Sequence, residues 1–96
     1  MAYAIELRDT INDMCSVDYK DRFIAEYWQN KIRYEKLKDF CTKIEAAPIM
    51  GKEEPKHDVP LFMLQEQQNV MGQYLHMLEL RAVIENIDLH LCIKSK

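Results

Sequence analysis

The chain has 96 residues, room for one domain with a thin core. A net charge of −3, with 30% charged and 48% hydrophobic residues, gives no general pull toward nucleic acid or acidic lipid, and is too small for an acidic mimic of DNA. Two glycines and three prolines supply few tight turns, which argues against an all-β or dinucleotide-binding domain and leaves an all-α fold as the expectation.

Cys15, Cys41 and Cys92 are widely spaced and form no CxxC or Cys/His zinc pattern. They read as free thiols of a reducing cytosol. Glu6, Arg8 and Asp9 interrupt the N-terminus early, so no signal peptide is expected. No apolar run approaches the roughly 18 residues that a membrane span needs.

In chain order, Tyr3, Leu7, Ile11 and Met14 step by four, four and three, which predicts a short amphipathic helix over 2–14. Residues 15–17 break it, and Ser16 or Asp18 can cap the next helix. A long helix is expected over 18–46, with the seam Phe23, Tyr27, Asn30, Tyr34, Leu37, Cys41 and Ile44. Ile24, Trp28, Ile32 and Phe40 lie off that seam, so a second face should bury against the N-terminal helix or another subunit. Ala47-Pro48 should end the helix, because a residue before proline avoids the α region.

Residues 48–59 read as the loop, carrying Gly51, Pro55 and mixed charges. Asp58 is the expected cap of a second long helix over 60–86, with Pro60 in its first turn. That helix would be about 39 Å long at about 1.5 Å per residue. Its seam is Leu61, Leu64, Gln68, Met71, Leu75, Leu78 and Ala82, beside a second apolar row of Val70, Tyr74, Met77 and Ile84. One partner cannot cover so wide a stripe. The expected architecture is a long antiparallel helical hairpin plus the short N-terminal helix, one domain over 1–96, assembled as a symmetric homo-oligomer. Asn30 and Gln68 would then face each other at mid-height. Asn86 suits a left-handed helix end. Beyond it Ile87, Leu89, Leu91 and Ile93 alternate with polar residues or cysteine, so 87–96 reads as an extended tail or as a frayed last turn.

Two stretches carry a resemblance. They are Tyr34-Glu35-Lys36-Leu37-Lys38-Asp39-Phe40 and Leu64-x-x-x-Gln68-x-x-Met71-x-x-Tyr74-Leu75-x-x-Leu78-Glu79-x-Arg81-Ala82-x-Ile84-Glu85-Asn86-Ile87-Asp88-Leu89. Together they resemble a family of short helical proteins of tailed phages, described by relation to a protein of crAss-like phages. The likeness covers roughly residues 20–89 and is most specific in its second half. It implies a phage origin, expression in the host cytoplasm and a helical hairpin. That family brings no assigned activity, so no functional residue is carried over.

His57, His76 and His90 have no acid, nucleophile or metal partner at a telling spacing, and Glu66, Glu79 and Glu85 do not share a face. No enzyme, catalytic residue, metal ligand or cofactor is therefore expected. Charges on the first long helix alternate in sign, as on a solvated, salt-bridged face, so nucleic acid is not an expected partner. The denser Lys31-Arg33-Lys36-Lys38 cluster leaves room for an anion. The sharper expectation is a small nucleotide ligand held by Tyr3, Trp28, Tyr34 and Tyr74 through base stacking, and by Arg8, Lys31 and Arg81 through phosphates. Tyr74 and Arg81 lie seven residues apart, two turns along one face. The competing reading packs Tyr74 in the core and pairs Arg81 with an acid of the preceding helix.

Small oligomeric phage proteins that withhold immune nucleotides have the same size and helical build. The expected function is thus non-catalytic sequestration of a nucleotide-derived immune signal, of cyclic-oligonucleotide or cyclic ADP-ribose type. The alternatives are an adaptor or inhibitor that binds a protein through a Trp28/Phe40 face, and a small virion or packaging component.

Overall fold

The computed structural model describes residues 5–90, and all regular structure among them is helical. A 3-10 turn, Leu7–Thr10, leads into the one-turn helix α1, Ile11–Met14. Two long helices follow, α2 (Tyr19–Ile49) and α3 (Leu61–Glu85). The N-terminal element is therefore tighter than the regular helix expected from position 2. Asp9 accepts the Glu6 N–H at 2.9 Å, and Thr10 Oγ1 donates to the Leu7 carbonyl at 2.7 Å. These three-residue closures favour 3-10 geometry.

Asp18 caps α2, accepting the Lys20 N–H at 2.9 Å, while Ser16 braces the turn by donating to Asp21 at 2.9 Å. Such a cap contributes about 1 kcal/mol. The helix does not stop at Ala46. It runs to Ile49 with Pro48 inside its last turn. Proline costs most in a helix interior, where it removes a hydrogen bond and crowds the carbonyl four residues back. Here Ala47 is buried and anchors the turn. Gly51, at φ 69, then donates to the Pro48 carbonyl, and Lys52 to that of Ala47 at 2.9 Å. This is a Schellman closure, which satisfies the last carbonyls.

α3 starts one residue later than expected, and Pro60 rather than Asp58 occupies the cap position. With ψ at 146° Pro60 is still extended, and its carbonyl accepts the N–H groups of Met63 and Leu64. The far end closes as the sequence suggests. Asn86 is left-handed (φ 59, ψ 45), and Ile87 N–H reaches the Ala82 carbonyl at 2.8 Å. Ile87 is itself buried in the cluster that holds Ala82.

α2 and α3 pack in opposite senses. Tyr19 meets Glu85 at one end, Tyr27 meets Glu79 further along, and Glu45 meets Gln65 at the other end. The inward residues are those of the two seams, with Phe23, Tyr27, Cys41, Ile44, Leu75, Leu78 and Ala82 fully buried. The two seam amides do not meet. Tyr27 lies level with Glu79 and Tyr34 with Gly72, which puts Asn30 level with His76. Gln68 is then two turns away, about 12 Å along the axis. Asn30 instead donates to the Glu26 carbonyl of its own helix, at 2.9 Å.

Ile24, Trp28 and Ile32 are buried although they do not face α3. Ile24 and Trp28 belong to the cluster on which Ile5 of the N-terminal segment and Leu89 of the turn after α3 are packed. Trp28 Nε1 donates to the Leu89 carbonyl at 2.7 Å, and the His90 ring stands edge-on to the indole. The chain over 87–90 is thus a turn, tightened by Asp88 accepting the His90 N–H, and not an extended strand. Residues 1–4 and 91–96 lie outside the described residues, Tyr3 and Cys92 among them.

Candidate functional site

An open groove of about 820 Å³ lies between the Tyr34 flank of α2 and one flank of α3. Its α3 side is set by helical spacing. Gln65, Gln68, Asn69, Gly72, Gln73 and His76 recur at steps of three, one and three beside the buried seam. Gly72 lets Tyr34 come close. A Cβ at position 72 would stand 3.3 Å from the Tyr34 ring, tighter than an ordinary contact, so a larger residue would push the ring back by a few tenths of an ångström. Glu45 closes one end, bonded to the Gln65 amide, and Met77 forms the outer rim.

The lining has a definite chemical character. Each side-chain amide offers donors and an acceptor. The Tyr34 ring offers an apolar face, Glu45 an acceptor for hydroxyl groups and His76 an imidazole. The set fits the edges of an uncharged heterocycle and the hydroxyls of a sugar. Among the described residues neither lysine nor arginine lines it.

Of the ligand residues expected from sequence that the structure describes, Tyr34 alone lines this groove, and Tyr3 lies outside the described residues. Tyr74 and Arg81 share the other flank of α3, where both are engaged. The Tyr74 hydroxyl donates to Glu26, a bond that raises the hydroxyl's pKa above its usual value. Arg81 lies over the Phe23 ring at 5.0 Å, pairs with Glu85 of its own helix at 3.1 Å and donates to the Tyr19 hydroxyl at 2.5 Å. Its acid is on α3, not on α2, while Tyr74 is 40% exposed rather than in the core. Tyr19 in turn donates to Glu85, which lifts its own pKa. Lys31 pairs with Glu35 at 3.4 Å along α2, and Arg8 pairs with Glu6 at 3.2 Å. Trp28 is 3% exposed, so its ring is unavailable for stacking on a ligand. These residues do not converge on one place.

Sequence reasoning missed the amides because each is an unremarkable surface residue when taken alone. The readable signal was their shared flank, combined with a glycine in the middle of a long helix. Elsewhere, His57 in the loop has both ring nitrogens on acceptors, the Val59 carbonyl at 2.7 Å and Glu54 at 3.1 Å. The carbonyl foremost, then the carboxylate, raises its pKa above the usual value. Among the described residues no cluster of three or more His, Cys, Asp or Glu is placed to hold a metal ion. No helix among them is long and apolar enough to cross a membrane.

A family model described as Sequestin matches residues 17–84. The chain belongs to the Sequestin family. The matched span takes in α2, the loop and nearly all of α3, and so both walls of the groove. The turn at 87–90 and the N-terminal segment that cover Trp28 fall outside it. The Sequestin match overlaps the phage-family resemblance from residue 20 to residue 84. No curated protein and no solved structure matches the chain.

Proposed function

We propose that this Sequestin-family protein binds and withholds a small nucleotide-derived signal without turning it over. The family name fits a sequestering role. The observation that carries the reading is the amide-lined groove, in which Tyr34 lies flush on Gly72. A base would stack near the Tyr34 ring with its edge on Gln68, Asn69 and Gln73, and sugar hydroxyls would face Glu45. Withholding a ligand needs only a preformed, complementary surface. The base and sugar then do the binding, and the phosphates stay toward solvent. A cyclic oligonucleotide or cyclic ADP-ribose isomer, a phage origin, a place in the host cytoplasm and assembly of the helical hairpin as a homo-oligomer complete the proposal.

The adaptor alternative drew on a Trp28/Phe40 face. With Trp28 in the core and Phe40 half-buried beside His57, that face is not available. The test is to incubate the purified protein with cyclic oligonucleotides and cyclic ADP-ribose isomers, then heat it and identify what is released. Recovery of an intact ligand, with about tenfold weaker binding by Gln68→Leu, is expected for the loss of a hydrogen-bonding amide in a formed site. No binding by any member of the panel would refute sequestration of these signals.

A further inference from the structure

The loop between α2 and α3 has little main chain to hold it. Of residues 52–60 only Pro55 and His57 are not exposed. The Lys52 N–H closes α2 and the Pro60 carbonyl opens α3, and among the described residues no main-chain hydrogen bond joins the stretch between them. His57 supplies the missing ties. Its Nδ1 stands 2.7 Å from the Val59 carbonyl oxygen, and its Nε2 stands 3.1 Å from a Glu54 carboxylate oxygen. The ring also sits edge-on to Phe40 of α2, with centroids 6.3 Å apart. One side chain thus connects the two halves of the loop with each other and with α2.

Both polar partners of the ring are acceptors. A neutral imidazole has one N–H and can serve one of them, whereas the imidazolium serves both. Without the second proton a nitrogen lone pair faces an oxygen lone pair, and one contact must open. We infer that His57 is a proton-operated latch, whose charged form holds the α2–α3 loop folded on α2 and whose neutral form releases one half of it. The surroundings set when it closes. The Val59 carbonyl, then Glu54 and Asp58, favour the cation and keep the ring charged above the usual histidine range. Lys56, next in sequence, is exposed. On α2 the charged residues within one turn of Phe40 are Lys36, Asp39 and Lys43. Lys43 and Asp39 pair at 3.1 Å, and Lys36 borders a pocket of the N-terminal segment. The first turn of α3, Leu61–Leu64, carries no charge. The latch is therefore closed below the folded pKa of His57 and opens as pH rises through it. Opening uncovers the edge of Phe40 and frees the approach to α3 at Val59. No ligand is needed for this.

Carbon-detected NMR of the full chain, titrated from about pH 5.5 to about pH 8.5 across the histidine range, tests the latch. The backbone carbons of residues 53–59 should move toward random-coil shifts with the same midpoint as the His57 ring, while carbons in the middle of α2 and α3 stay in place. His57→Gln can serve only one acceptor, so its loop should give the released shifts at every pH, with unchanged helical circular dichroism. Glu54→Gln, which keeps the histidine, should lower the shared midpoint. Loop shifts that stay fixed while the ring titrates, a loop transition that survives in His57→Gln, or an unmoved midpoint in Glu54→Gln would each overturn the inference.

Discussion

Replacing Trp28 with phenylalanine tests how the two ends of the chain are tied to α2. Trp28 is 3% exposed, and its Nε1 donates to the Leu89 carbonyl at 2.7 Å, the bond that pins the turn after α3 to the middle of the core. Trp28→Phe keeps an aromatic ring but leaves that carbonyl without its donor, at a cost of about 1 kcal/mol for a half-buried acceptor that water can partly reach. The smaller ring leaves a void that adds about 1 kcal/mol more. The sum, about 2 kcal/mol, should lower Tm by about 8–16 °C in a domain of this size. Far-UV circular dichroism during heating measures the shift. Trp28 is the chain's single tryptophan, so wild-type fluorescence reports its burial directly and should be blue-shifted until the transition. A Tm change of less than about 3 °C, or wild-type emission typical of solvated indole, would refute this account of the core. Trp28→Ala would cost about 3–5 kcal/mol, much of the total stability expected for such a domain. Loss of a partner in that variant would therefore report unfolding and not a docking face.

His57 titrates above its usual pKa, and its charged form is the one that satisfies both Val59 and Glu54. Because the folded value is the raised one, the contribution to stability is complete below the unfolded pKa of about 6.5 and fades as pH rises through the folded value. An NMR titration of the His57 ring should show this elevation, and Glu54→Gln should reduce it; a midpoint at or below the ordinary histidine value would contradict the loop geometry. Asn86→Ala should destabilise by about 1 kcal/mol, since Asn86 is at φ 59 and alanine pays the left-handed penalty in full, whereas Asn86→Gly should be neutral or stabilising in chemical denaturation.

The inward faces of α2 and α3 were legible in the sequence because each follows one local rule, apolar residues at alternating steps of three and four. The same holds for the Asp18 cap and the left-handed Asn86 end, where one residue type solves one backbone problem. What failed was whatever depended on relative position. Asn30 and Gln68 look like partners in two similar patterns, but the offset between the helices is set by Tyr27 against Glu79 and by Tyr34 seated on Gly72. Pro48 reads as a stop, yet the buried Ala47 and the Gly51 closure carry the helix past it.

The candidate site divides in the same way. Tyr74 and Arg81 do share one flank, as their spacing requires, because spacing within a helix is a property of the sequence. Their partners are not. Glu26, Glu85, Phe23 and Tyr19 engage them, and only packing could decide that. The groove needs two helices at a fixed offset, so Tyr34 acquires its meaning only when Gly72 arrives beneath it. The sequence by itself determined the two long helices, the faces they turn to each other and the apolar excess on α3. The tertiary structure decided which face stays open and which polar residues border it, because a groove depends on the relation between segments and no single segment encodes it.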